Sequence, residues 1–175
     1  MLRHHYIIIG TFPTRSSSYI SNKHLYCNSS ISHLIIPMIK FDPIQDIENS
    51  EVILDRGEWP NFHDAEVHNL NIWRGDVRPD DNVWIGPVIE ASFELCALKN
   101  PYIVVLKFHD CDEIRMAEFN HQNAVYDLNF EYVARGNYLD GKPLPPFIFV
   151  RFEQAFGVAL SFKCFKVEAI ERREV

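Results

Sequence analysis

The sequence predicts a mostly β domain of the α+β class: an antiparallel sheet of about five to six strands with one short N-terminal helix. Two stretches alternate apolar and polar side chains with period two, the mark of a strand with one buried face. Ile89, Ala91, Phe93 and Leu95 oppose Glu90, Ser92 and Glu94, and Tyr126, Leu128, Phe130 and Tyr132 oppose Asp127, Asn129 and Glu131. Turn-forming residues separate the successive apolar runs by short connections, which suits antiparallel pairing. A strong helix start stands at Asp42–Pro43, ahead of every strand.

The helix comes first. "DPIQDIENSEVIL" offers Asp42 as N-cap and Pro43 at the first helical position. Ile44, Ile47 and Val52 form an apolar face able to cover the sheet, and "DRGEWP" breaks the chain at Gly57 and Pro60. "AEVHNLNIWRGD" reads as the first strand, closed by Gly75–Asp76. The polar turn "DVRPDDN" leads into "VWIGPVIEASFELCAL", residues 83–98, a strand interrupted at Gly86–Pro87. "KNP" turns the chain into "YIVVLKFHD", residues 102–110, which is apolar on both faces and so belongs in the middle of the sheet. "NAVYDLNFEYV" follows as residues 123–133. After the loop "ARGNYLDGKPLPP", the strands "FIFVRFE" and "VALSFKCFKVEAI" close the domain across "QAFG". Val158, Leu160, Phe162 and Cys164 share one side of the last strand, and Gly157 fits a tight turn that needs positive φ.

Residues 1–37 differ from the rest: Ser-rich, slightly basic and free of acid. The apolar core "YIIIG" is too short for a signal peptide, and the composition fits a transit peptide in part. The favoured reading is an upstream, mis-assigned start, with translation beginning at Met38. Residues 1–37 are then a disordered extension, and residues 38–175 a single β-rich domain.

All 24 acidic residues lie in 42–175, beside 13 lysines and arginines, a net charge of −11. Such a body repels nucleic-acid phosphate and suits a basic protein partner. No run approaches the length of a membrane span. The body carries three of the four cysteines, Cys96, Cys111 and Cys164, and no C-x-x-C. An odd number without that motif argues against a disulfide framework and fits a reducing cytosol.

The chemistry candidates cluster around histidines. "WPNFHDAEV", "KFHDCDE" and "EFNHQN" bring His63, Asp64, Glu66, His109 and His121 into view, an array from which a metal-dependent or acid–base hydrolase could be built. Their spacings match no H-x-H, H-E-x-x-H or C-x-x-C motif, and the adjacent pair His63–Asp64 would point to opposite faces of a strand. A nucleophile is no better supported. There is no G-x-S-x-G, and Cys111 has Asp110, Asp112 and Glu113 beside it, which raise a thiol pKa. Structural roles suit the segments better. Asn120, His121, Gln122 and Asn123 can satisfy backbone groups where strands end, and Trp59 and Phe62 can pack around a turn.

Three segments together, "WPNFHDAEV", "VVLKFHDCDEIRMAEFNHQNAVYDL" and "FGVALSFKCFKVEAI", resemble the immunity protein 50 family of bacterial polymorphic toxin systems. The likeness spans roughly residues 50–170 and excludes residues 1–37. It implies a small, mostly β protein that neutralises a cognate toxin protein by stoichiometric binding, in the cytoplasm and without a cofactor or metal. Nucleic acid and membrane are not expected partners. The motif residues Trp59, Phe62, His63, Asp64, Glu66, Phe119, Asn120, His121, Gln122 and Asn123 are then fold-defining. Charge and loop position nominate two turns as the contact surface: Asp76, Asp80 and Asp81, flanked by Trp73 and Trp84, and Asp110, Asp112 and Glu113. The alternative remains a hydrolase built on His63, Asp64, Glu66, His109 and His121.

Overall fold

The computed structural model describes residues 40–75, 86–95 and 101–175. The expectation for residues 1–37 lies outside them, as do Asp76, Asp80, Asp81 and Trp84 of the nominated surface. Among the described residues, eight strands form one antiparallel sheet. They are β1 (Ala65–Trp73), β2 (Val88–Leu95), β3 (Tyr102–His109), β4 (Asp112–Ala117), β5 (Ala124–Val133), β6 (Phe147–Phe156), β7 (Ala159–Cys164) and β8 (Lys166–Glu174). Their order across the sheet is β4-β7-β6-β5-β1-β2-β3-β8.

The count of eight corrects the expected five to six, and the reason is local. "VALSFKCFKVEAI" is not one strand: it bends at the exposed Phe165, where β7 passes into β8. The chain opposite bends at the same level, where β3 passes into β4 through Asp110, held at φ 53°. Pairing keeps one register across both bends, from His109–Lys166 to Asp112–Lys163, and Phe165 N donates to His109 O at 3.1 Å. A single long ribbon is thus folded over a corner, the usual way for strands to pass between two packed layers. Segment 112–117, which lacks a clean alternation, is paired because its continuation from β3 delivers it beside β7.

The sheet folds over itself at a second place. β1 meets β5 only through Ala65–Val125 and Glu66–Ala124. The halves β1-β2-β3-β8 and β5-β6-β7-β4 therefore face each other across a phenylalanine core. Phe62 meets Phe93 at 5.2 Å between ring centroids, Phe93 meets Phe152 at 5.1 Å, and Phe108 meets Phe162 at 4.9 Å. All five rings are fully buried, each worth about 1.5–3 kcal/mol of burial. Ile89, Ala91, Phe93 and Leu95 do share the buried face of β2, and Leu160, Phe162 and Cys164 that of β7.

Two expectations are corrected by the competition between elements. The N-terminal helix is only α1 (Pro43–Asp46), followed by a 3-10 turn at Ser50–Val52. Asp42 caps α1, its Oδ1 accepting from Ile44 N at 3.0 Å. Ile47 is then extended, because the next residue finds better partners on the sheet: Glu48 N donates to Val167 O, and Ala169 N donates to Glu48 O. Ile47 and Ile53 are buried while Val52 is exposed, so the apolar stripe is not that of a continuous helix. In β5, register shifts between Ala124 and Asp127 turn Tyr126 out to solvent and put Val125 in the core instead. Beyond the bulge the alternation resumes, with Leu128 buried and Phe130 stacked on Phe41 at 5.1 Å.

Candidate functional site

The two nominated turns rise from strand ends that lie side by side. Trp73 ends β1 opposite Val88 of β2, and Ile89 lies opposite Phe108 of β3. Gly86 N donates to Asp110 Oδ1 at 2.7 Å, and Cys111 N donates to Pro87 O at 2.7 Å. Gly86 stands so close to Asp110 that a Cβ there would lie 3.1 Å from the Asp110 Cα. The base of the β1–β2 connection is therefore locked to the β3–β4 corner. Trp73 is part-exposed, with Lys107 Nζ 5.6 Å from the centre of its ring.

The three carboxylates of the corner are not equivalent. Asp110 is half-buried and spent on Gly86. Glu113 is paired with Lys163 at 2.6 Å, which neutralises it. Asp112 is exposed; its Oδ1 accepts from Glu113 N at 2.8 Å and its charge is met by no cation among the described residues. Of the corner acids, Asp112 is the one with charge to offer a partner.

The histidines do not converge. Glu66 lies opposite Ala124, so His63 and His121 sit at one end of the sheet. His109 follows Phe108, which is level with Ile72, six residues further along β1. That is about 20 Å along the strands. Among the described residues, no group of three or more His, Cys, Asp or Glu side chains is placed to hold a metal ion. His109 instead binds Glu168 Oε2 through Nε2 at 2.8 Å, beside Lys166, which also reaches Glu48. His63 is exposed, 3.3 Å from Asp64 and with its ring 4.7 Å from that of Tyr126.

The two motif segments act on the backbone. Phe62 drives into the core, Asp64 turns the chain at φ 60°, and Ala65 N donates to Phe62 O at 3.0 Å. Trp59 packs on Phe62 and Phe130, while Glu66 points to solvent. In the other segment Asn123 is buried. Its Oδ1 accepts from Asn120 N at 2.9 Å, its Nδ2 donates to Asn120 O at 2.5 Å, and its carbonyl accepts from Val67 N at 2.8 Å. Gln122 N donates to Asn120 Oδ1 at 2.8 Å, whereas Phe119 and His121 are exposed.

A feature absent from the sequence reading is a cleft of about 520 Å³ on the outer face of β4, β7 and β6, walled by Arg115, Arg151, Glu153 and Gln154. Its signal in the sequence is the small outward pair Ala159 and Ser161 between longer side chains, legible only once the strand order is known. Cys111 and Cys164 are buried free thiols. Cys111 is pushed up to about 12, by burial first and by the nearby Asp110, against a lowering backbone hydrogen bond at Ile89. No protein-family model matches this chain, and neither a curated protein nor a solved structure does.

Proposed function

We propose that this protein is an immunity protein that neutralises a basic toxin domain by stoichiometric binding, through the end of the sheet where the β1–β2 connection meets the β3–β4 corner. The observation that carries this reading is the lock between Gly86 and Asp110. It ties Gly86–Pro87, where the chain enters β2, to the acid-bearing β3–β4 corner, on a body of net charge −11. Complementary charge of this kind speeds encounter and sets orientation, while an aromatic such as Trp73 supplies the apolar anchor. The resemblance of the "FHDAEV" and "FNHQN" segments names the class of partner. The hydrolase alternative draws no support from the geometry, since His109 stands apart from His63 and His121.

The test is co-purification from native lysate at low and high salt, followed by titration of the recovered partner. A stoichiometric basic partner is expected, released as salt rises, whose toxicity on co-expression is relieved by this chain. Asp112→Lys should weaken its binding about tenfold at low salt, the effect of one charge-assisted contact, and leave folding intact. A partner whose affinity ignores both the substitution and the salt would refute the proposed surface.

A further inference from the structure

The outer face of β4, β7 and β6 is arranged in rows. The antiparallel register seats Arg115 opposite Ser161, and Ser161 opposite Arg151. Two arginines on one face are thus about 10 Å apart at the backbone, two strand spacings, with a hydroxyl between them. On one side Lys163 bridges to Glu113 at 2.6 Å; on the other the row is Ala117 opposite Ala159, beyond which Gln154 Nε2 donates to Glu118 Oε2 at 2.6 Å. In the central row no acid completes the pattern. The Arg115 side chain has no ion-pair or hydrogen-bond partner among the described residues. Arg151 has a long contact, 3.8 Å, to Glu153 of its own strand, and its guanidinium lies 5.4 Å from the Phe149 ring.

Arg115 and Arg151 flank Ser161 from strands two apart, and the cleft between them is lined by a single acid, Glu153, 3.8 Å from Arg151, so cations outnumber carboxylates there. Ala117, Ala159 and Ser161 form its floor because their side chains are short beside the arginines and Glu153. We propose that this cleft binds a small organic phosphate monoester. A guanidinium presents a planar fork that matches two phosphate oxygens, and the Ser161 hydroxyl can donate to a third. A dianion neutralises both arginines, which a single carboxylate does not. The cleft, about 520 Å³ and open to solvent, has room for more than inorganic phosphate. The organic part rests on Ala117 and Ala159, with Glu153 placed to bond a hydroxyl or amine. The surrounding acids disfavour a polyanion such as nucleic acid.

The test titrates the full chain with phenyl phosphate, inorganic phosphate, benzoate and benzyl alcohol, read by calorimetry and by amide shifts. Phenyl phosphate should saturate at one per chain, shift the amides of residues 115–117 and 159–161, and bind more tightly than the other three. Arg115→Gln and Arg151→Gln should each weaken it about tenfold or more without lowering the thermal midpoint. Ser161→Asp should abolish binding and raise the midpoint, because an internal carboxylate then lies between the two arginines. Absent or non-saturable binding, equal affinity for benzoate or inorganic phosphate, or indifference to the arginine substitutions would each overturn the proposal.

Discussion

Gly157 shows how one residue can answer two demands. It has φ +75° in the β6–β7 turn, and a Cβ there would lie 2.1 Å from Gln122 O and 2.8 Å from Asn123 Oδ1. The turn requirement was legible in "QAFG"; the close approach of a loop more than thirty residues earlier was not. Gly157→Ala is therefore expected to destabilise the fold by about 3 kcal/mol or more, through strain and the collision together. Urea unfolding would measure it, and a loss below about 1 kcal/mol, that of an ordinary turn substitution, would contradict the collision. Polar side chains at Asn120 and Asn123 likewise announced backbone hydrogen bonding, though not their partners. The Asn123 side chain bonds the backbone of Asn120, and its main-chain carbonyl accepts from Val67 N on β1.

At the scale of elements, the β3–β4 corner ties fold to surface. Asp110 has positive φ and also accepts from Gly86. Asn tolerates that backbone region and keeps an acceptor, whereas Ala provides neither. Asp110→Ala should cost about 2–3 kcal/mol, summing the strain and the hydrogen bond, while Asp110→Asn should cost under about 1 kcal/mol. Equal losses in chemical denaturation would mean that the corner does not depend on this contact. Strands were readable wherever one face is buried, because period two survives in the composition. β4 escaped because both its faces are largely exposed, and the short helix stops at Asp46 because Glu48 finds backbone partners on β8.

Over the whole molecule, burial governs the response to alkali. Cys111 is pushed up to about 12, and Cys164 is also raised, by burial and then by Cys111. Tyr102 and Tyr132 are raised too, again by burial first. The folded chain keeps these protons where the unfolded chain releases them. Stability is therefore full below about pH 9, the ordinary thiol value, and falls as pH rises toward 12. Urea midpoints measured from pH 7 upward should fall above pH 9, and a flat or rising profile would show that burial is not the controlling effect. The sequence by itself determined the strand class, the buried faces of β2 and β7, the N-cap at Asp42 and the acidic charge, because each depends on neighbours in the chain or on composition. Only the tertiary structure decided that His109 stands apart from His63 and His121, that Asp110 is locked to Gly86, and that Arg115 faces Arg151 across Ser161. Alternation says which face a side chain takes; strand order and register, settled by packing between distant segments, say what it meets there.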